Sequence, residues 1–423
     1  MKNLFNKEDF LASFVLLVIG IPISIGIGMA AGASPAAGLV SAIVGGIFVG
    51  IFSGGTLMIS GPSASLILIT YEVISRSGSD GLAIMLVIGG IFQVILGSLR
   101  VGWVFKLVSP LVLKGMLSAI GLIIAFSQLH VLFGGVPPSS PFQALIELPQ
   151  VVSLSVGAVL GGLAIFIEIL WEKKFQKWIP GSLAAVILVT AISQFWVTER
   201  LDVQPLILYM KESLLRVPDW RPNHFLEVLG LAFAFSIIGC SESLLTARAV
   251  DILRKKRNED DDVEPSRLDT ILKAHGFGNM ICGVLGGFPI TGVIIRSAAN
   301  VQAGARSWQS GVLQGLWILS FVSLVPWLLD LIPTTVLAAI LIVTGFKIVR
   351  FEILFSLLRK KPTIAAVWLG TTVGILGLGL LEGLGIGVLI SIFVFKKKFF
   401  QMIRIAKGDR KSLRWAVSVH LGH

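Results

Sequence analysis

Long apolar runs recur along the whole chain, and only short polar stretches separate them. An apolar run of about 18 residues or more is long enough to cross a lipid bilayer as a helix. The runs predict fourteen spans and therefore an all-α polytopic membrane protein. Their expected extents are 10–31, 36–52, 56–75, 82–99, 110–132, 151–171, 179–197, 224–247, 268–286, 288–304, 309–330, 334–349, 362–380 and 382–399.

The third and tenth predicted spans are interrupted in the same way. Residues 54–65 and 286–297 each contain a glycine pair, a short extended-looking stretch, a hydroxyl residue followed by glycine, and a helix-like run. Both spans are short for a helical crossing of about 20 residues, so we predict a short strand plus a half-helix in each. Paired interruptions in two halves of a membrane chain point to the binding site of a transporter.

Basic residues are concentrated at the ends of the predicted spans. They fall in alternate loops, such as 254–257 and 359–361, whereas the opposite loop 133–150 has no Lys or Arg. This pattern follows the positive-inside rule and predicts an inner-membrane protein with both termini in the cytoplasm. The net charge of +11 is therefore expected to face anionic headgroups rather than nucleic acid. Seven spans in each half, 1–197 and 224–399, predict an inverted repeat.

The starts of the two half-helices are the first candidates for a binding site. Pro62 fits the first helical position, with Ser60 as its cap. Thr291 and Gly292 fit the same role in the second segment. Each helix start exposes unpaired N–H groups and about half a positive charge, so two starts that meet at mid-membrane would bind an anion. The alternative is that both are Gly/Pro kinks packed inside the protein.

Arg296 and Glu242 are the charged candidates within the spans. An arginine at membrane depth costs about 2.5–3.5 kcal/mol, so it needs a partner or a function. We expect Arg296 to supply positive charge to an anion site; the alternative is a salt bridge to Glu242. Glu242 fits a proton relay, a cation ligand or a salt-bridge partner, and Thr246 lies on the same helical face. In the first span, Pro22 predicts a kink, and its neighbour Ile23 would wall the site.

Other chemistry finds little support in the sequence. No Walker motif, no metal-spaced His/Cys cluster and no Ser-His-Asp order stands out. We therefore predict neither an ATP-driven pump nor an enzyme, and no cofactor or metal. Cys240 and Cys282 fall inside apolar spans and are expected to be small core residues.

Five motifs occur in order along the chain. They are Ser60-Gly61-Pro62-Ser63-Ala64, Lys114-Gly115-Met116, Ile179-Pro180-Gly181, Glu242-Ser243-Leu244-Leu245-Thr246-Ala247, and the 292–306 segment that begins Gly292-Val293-Ile294-Ile295-Arg296. In these motifs the chain resembles the sulfate permease (SulP) anion transporters. The resemblance implies the seven-plus-seven inverted repeat of the uracil permease fold. Spans 1–4 and 8–11 would form a mobile core domain, and spans 5–7 and 12–14 a gate domain.

The resemblance also implies a substrate site between half-helices 3 and 10, lined by spans 1 and 8. With the half-helix starts included, the expected binding residues are Pro22, Ile23, Pro62, Ser63, Ala64, Thr291, Gly292, Val293, Ile294 and Arg296, and the expected coupling residues are Glu242 and Thr246. Along the chain, the expected units are 1–132 (spans 1–5), 133–223 (spans 6–7 and outer loops), 224–330 (spans 8–11), 331–399 (spans 12–14) and 400–423 (a basic cytoplasmic tail).

Two features depart from the usual family pattern. Many members have Gln where this chain has Ile23, and many carry a C-terminal STAS domain that the 400–423 tail does not match. The expected function is secondary active transport of a small anion, such as sulfate or bicarbonate, by elevator-type alternating access with proton coupling or exchange. Sodium-coupled bicarbonate symport and a passive anion channel are the alternatives, and the formation of a homodimer stays open.

Overall fold

The computed structural model is almost entirely helical, as the apolar pattern predicts. It describes residues 6–53, 57–100, 109–135, 141–153, 155–174, 181–196, 200, 205–215, 222–257, 266–349 and 351–394. The helices of this part are α1 Lys7–Ala30, α2 Pro35–Val44, α3 Gly50–Phe52, α4 Ile67–Ser98, α5 Pro110–Leu132, α6 Pro141–Val151, α7 Val156–Lys174, α8 Gly181–Ser193, α9 Leu206–Leu215, α10 Pro222–Arg257, α11 Leu268–Leu285, α12 Ile294–Gln302, α13 Gln309–Leu324, α14 Thr334–Val349, α15 Phe351–Lys360, α16 Pro362–Leu378 and α17 Leu380–Val394.

Several of these helices are suited to a bilayer by their length and composition. Within the described ranges, five helical stretches are long and apolar enough to cross a membrane: Lys7–Ala30, Pro35–Phe52, Ala64–Ser98, Lys114–Leu132 and Leu226–Asp251. Shorter apolar helices, α8, α13, α14, α16 and most of α17, add to them. The chain is a multi-pass membrane protein.

Helices occupy every apolar range predicted from the sequence, but some boundaries differ. α4 runs through the third and fourth predicted spans and is broken at Gly78, whose backbone (φ 63°, ψ −162°) is strained for any residue with a side chain. α6, α9 and α15 lie in segments expected to be loops. These helices are 10 or 11 residues long and too short to register as apolar spans.

The two interrupted spans pair with each other through short strands. Strand β1, Ser60–Pro62, is antiparallel to strand β2, Ile290–Gly292, with Gly61 opposite Thr291. The expected helix caps are therefore wrong: Ser60 and Pro62 lie in β1, and Thr291 and Gly292 lie in β2. The pairing extends beyond the strands, and it holds these residues extended where a helix start was expected.

Each half-helix begins one or more residues after its strand. After β1, a 3-10 turn at Ala64–Leu66 leads into α4. After β2, Val293 is the cap residue of α12, and no side chain caps that helix. The two helices therefore begin later in the sequence than predicted, after the strands have ended.

The helices pack in two groups. α1, α2, α4, α10, α11, α12 and α13 surround the strand pair, with the closest packing between α4 and α11. α5, α7, α8, α14, α16 and α17 form the second group, in which α5 packs against α14 and α16. α1 also touches the second group, where Gly26 leaves room for Leu341 of α14: a Cβ on Gly26 would lie 2.8 Å from the Leu341 Cδ1.

Candidate functional site

Side chains from neighbouring helices satisfy the backbone of the segment that leads into β2. The Ser41 hydroxyl accepts a hydrogen bond from the Phe288 N–H (2.5 Å) and donates one to the Phe288 carbonyl (2.7 Å). The Asn279 amide does the same for Ile290, accepting from its N–H (2.7 Å) and donating to its carbonyl (3.1 Å). Non-helical backbone at membrane depth is stable only where protein groups replace the missing bonds, and these two residues supply them.

The segment that leads into β1 is held by polar residues of α12. The Ser297 hydroxyl accepts from the Ile59 N–H (2.9 Å), and the Asn300 amide donates to the Leu57 carbonyl (3.1 Å). The Val293 N–H also reaches the Ile59 carbonyl (2.8 Å). The first interrupted segment is thus held by α12, which follows the second segment. The second segment is held in part by Ser41 of α2, which precedes the first.

α10 fixes the end of β2 through two hydroxyl groups. The Ser243 hydroxyl accepts from the Gly292 N–H (3.1 Å), and the Thr246 hydroxyl donates to the Gly292 carbonyl (2.9 Å). Thr246 is buried, and its hydroxyl group donates its hydrogen bond to this backbone carbonyl. The structure therefore gives Thr246 a role in anchoring β2, and its coupling role beside Glu242 stays a prediction.

The two helix starts lie at opposite ends of the strand pair. Because Ser63 lies level with Pro289 and Val293 lies level with Ile59, the cap residues Ser63 and Val293 are about 13 Å apart along the ribbon. The first-turn N–H groups of a helix have no intrahelical acceptor, and α12 has no side-chain cap to occupy them. Two sets of N–H donors and two positive dipole ends therefore flank the strand pair, one at each end.

Glu242 binds the first of these helix starts. Its Oε2 accepts a hydrogen bond from the Ser63 hydroxyl (2.7 Å) and a short one from the Ser65 hydroxyl. The two serine hydroxyls are themselves 2.7 Å apart. The Glu242 side chain stays partly exposed although both serines are buried. A carboxylate at a helix start, beside two hydroxyls, occupies the position that suits a bound anion.

Arg296 lies beside Gly61 of β1 and is completely buried. Its Nη2 donates to the Ser24 hydroxyl (2.7 Å) and to the Gly20 carbonyl (3.3 Å), both on α1. Its Nε and Nη1 have no hydrogen-bond partner among the described residues. The salt bridge to Glu242 that the sequence left open is not formed. The guanidinium thus provides positive charge next to α1 and β1 and, being buried, is not in contact with solvent.

The predicted site residues differ in how much of each side chain is exposed. Ile23, Ala64, Val293 and Ile294 are partly exposed, like Glu242. Pro22, Pro62, Ser63, Thr246, Thr291, Gly292 and Arg296 are buried. The exposed surface at the helix starts is therefore largely apolar, and polar character comes from Glu242 and the backbone.

Several residues that hold the site were not among the predicted ones, and three of them show why. Ser65 binds Glu242, Ser24 binds Arg296, and Asn279 holds β2. Ser65 had one local signal, since it follows Ser63 by two residues at a helix start. Ser24 and Asn279 had none, because their partners are set by the fold.

Comparison with known proteins places this geometry in a family. The model of the sulfate permease family matches residues 7–371. The bicarbonate transporter BicA of Picosynechococcus sp. is 28% identical over 356 residues, which is 80% of this chain and 61% of BicA. The putative sulfate transporter YvdB of Bacillus subtilis is 24% identical over 408 residues, which is 94% of this chain and 75% of YvdB. The chain thus spans less than two thirds of the length of BicA.

Solved structures share the fold. The transmembrane domain of a cyanobacterial BicA has a TM-score of 0.76 at 24% identity, with 92% of this chain and 98% of that chain covered. Murine Slc26a9, an anion transporter captured in the inward-facing state, has a TM-score of 0.77 at 19% identity, with 94% and 69% covered. The chain belongs to the sulfate permease family, a family of membrane transporters and not of enzymes.

Proposed function

We propose that the chain is a secondary active transporter that carries a small inorganic anion, such as sulfate or bicarbonate, across the cytoplasmic membrane. The observation that carries this proposal is the β1–β2 pair, which has a helix start at each end, with Glu242 hydrogen-bonded at one of them and the buried Arg296 in the first turn of the other. The names of the relatives agree, since they include a bicarbonate transporter and a putative sulfate transporter.

The anion binds between the helix starts, where N–H groups of the Ala64 turn and of α12 converge. Ser63, Val293 and Ile294 flank this position, and Ile23 of α1 faces it. Arg296 attracts the anion through the protein without contact, because a charge is screened far less inside the membrane than in water. Anion selectivity then depends on how well an anion fits between the largely apolar side chains and the backbone N–H groups of the site.

Glu242 couples transport to the proton. When ionised, its carboxylate occupies the Ser63 and Ser65 hydroxyls and offsets the charge of Arg296. When protonated, it leaves the site with net positive charge and free to take an anion. Proton-coupled uptake or exchange follows from this competition between carboxylate and substrate.

Alternating access is proposed to be elevator-like. The helix group around the strand pair is the core, which contains predicted spans 1–4 and 8–11, and the group around α5 and α14 is the gate, with spans 5–7 and 12–14. The two halves of the chain, 1–197 and 224–399, form a seven-plus-seven inverted repeat with both termini in the cytoplasm. The contact between Gly26 of α1 and Leu341 of α14 lies at the boundary between the two groups, where a side chain on Gly26 would clash with Leu341.

Sodium coupling is a second candidate, favoured by one observation. The oxygens of Glu242, Ser63 and Ser65 form a donor set of the kind that hard cations prefer. The positive charge of Arg296 opposes it by repulsion. A passive anion channel is a third candidate.

Uptake of labelled anions into proteoliposomes tests the proposal and separates the candidates. We expect sulfate or bicarbonate uptake that is driven by a proton gradient, is stimulated by unlabelled anion inside the vesicles and does not need sodium. Uptake that requires sodium would favour the second candidate. Flux without stimulation by internal anion would identify a channel, and no flux of any small anion would reject the proposal.

A further inference from the structure

Helix α15 has an unusual position between two membrane helices. It follows α14 directly and ends immediately before α16, and both of these helices are apolar. The ends that it joins carry Lys347 in the last turn of α14 and Lys361 at the cap of α16. Since α14 and α16 both pack against α5, α15 connects them at one face of the membrane.

One face of the helix carries four large apolar residues, Phe351, Leu354, Phe355 and Leu358, which differ in exposure. Leu354 is buried against the protein. Phe351, Phe355 and Leu358, spaced at i, i+4 and i+7, form one stripe that is 40%, 60% and 38% exposed. The rings of Phe351 and Phe355 are stacked with centroids 6.5 Å apart. The three side chains of this stripe are thus only partly covered by protein.

The other end of the helix is basic. Arg359, Lys360 and Lys361 are consecutive, and all three are exposed. Their neighbour on the same helix, Ser356, is also exposed and polar. A helix that combines an aromatic stripe with a basic end, at a membrane face, has the composition of an interfacial helix.

We propose that α15 lies in the membrane interface and forms a binding surface for anionic lipid headgroups. The exposed stripe enters the boundary between headgroups and acyl chains. Arg359, Lys360 and Lys361 bind the phosphate groups of anionic lipids beside it. The charge complementarity selects a lipid rather than a second protein chain, because a protein partner would have to bring its own acidic surface to this basic end.

A single fluorescent label on α15 tests the position. Cys240 and Cys282 are buried, so a maleimide dye reacts with a new cysteine at Phe355→Cys, and the wild-type protein serves as the labelling blank. We expect the dye at position 355 to be quenched by nitroxide on lipid acyl chains and shielded from aqueous iodide. A dye at Lys360→Cys should show the reverse. Iodide quenching at position 355, or shielding there from both quenchers, would overturn the proposal; shielding from both indicates a protein partner.

The identity of the headgroup is tested with the same dye. One basic side chain at a membrane surface gives about a fivefold preference for an anionic lipid. In mixed vesicles, nitroxide carried on phosphatidylglycerol should therefore quench the 355 dye more strongly than nitroxide carried on phosphatidylcholine. Replacing residues 359–361 together by Gln should remove the difference, whereas the same change of the three lysines 396–398 should preserve it. Equal quenching by the two carriers in the unmodified helix, or a difference that survives the 359–361 change, would overturn the headgroup assignment.

Discussion

The position of Arg296 can be tested by adding one methyl group. Gly61 lies in β1 and packs against the guanidinium: a Cβ at Gly61 would lie 2.8 Å from the Arg296 Nη1, whereas ordinary contact begins at 3.4 Å. Gly61 is not one of the positive-φ glycines, so alanine fits the backbone itself. The substitution Gly61→Ala therefore acts by pushing the guanidinium back by about 0.6 Å, the difference between the two distances, in a close-packed interior.

The size of the effect follows from this displacement. The guanidinium is held at Nη2 by Ser24 and Gly20 and has little room to retreat. Overpacking of a buried position costs about 1–3 kcal/mol. If about half of this, roughly 0.5–1.5 kcal/mol, appears as lost anion affinity, the KM for the transported anion rises by a factor between about 2 and about 12, since 1.4 kcal/mol is a factor of ten.

The assay is initial anion uptake into proteoliposomes over a range of anion concentrations. Gly230→Ala is the matched control, because a Cβ at Gly230 has no atom within 4 Å. In an Arg296→Lys background, Gly61→Ala should have little further effect, because the shorter ammonium does not reach the added methyl group. A Gly61→Ala protein with the KM of the Gly230→Ala control would refute this placement of the charge.

Further substitutions separate anchoring contacts from dispensable ones. In thermal melting of the purified protein, Ser24→Ala should lower the free energy of unfolding by about 1–3 kcal/mol, because the buried Arg296 loses its shortest hydrogen bond. Thr246→Val should cut uptake severalfold, because β2 loses an anchor, while Thr246→Ser should transport normally. Asn279→Leu should be strongly destabilising, since it leaves buried backbone groups unpaired, by about 1–3 kcal/mol each. Gln314→Leu should be neutral or stabilising in the same melting assay, because neither amide atom of Gln314 has a partner among the described residues.

The pattern of apolar residues alone was sufficient to predict most of the long helices. The interrupted spans could be predicted because glycine pairs and hydroxyl-glycine steps are local signals that do not fit a continuous apolar helix. Arg296 and Glu242 could be predicted as site residues because charge is rare and costly at membrane depth. These features belong to single positions or short segments, and one sequence is enough to read them.

Contacts between distant parts of the chain could not be predicted. Ser60 and Pro62 satisfy local rules for a helix start, but pairing with residues 290–292 makes them a strand. Ser65 meets Glu242 across 177 residues, and Ser24 meets Arg296 across 272. Local propensity is a weak guide where such tertiary contacts decide the backbone.

α6, α9 and α15 were missed for a different reason. Their apolar residues cover one side of a short helix, so a search for long apolar runs does not detect them. α15 shows that such a helix can still carry the clearest surface feature of its region, an aromatic stripe beside three basic residues.

The competition between Glu242 and the anion is the central claim about mechanism, and the pH dependence of uptake by Glu242→Gln tests it most directly. Gln keeps the size and the hydrogen-bonding oxygen of Glu242 but removes the titrating charge. Anion uptake by Glu242→Gln proteoliposomes, measured across a range of pH beside the wild type, should no longer depend on pH and should no longer respond to a proton gradient. Uptake with the wild-type rate and the wild-type pH dependence would contradict the account.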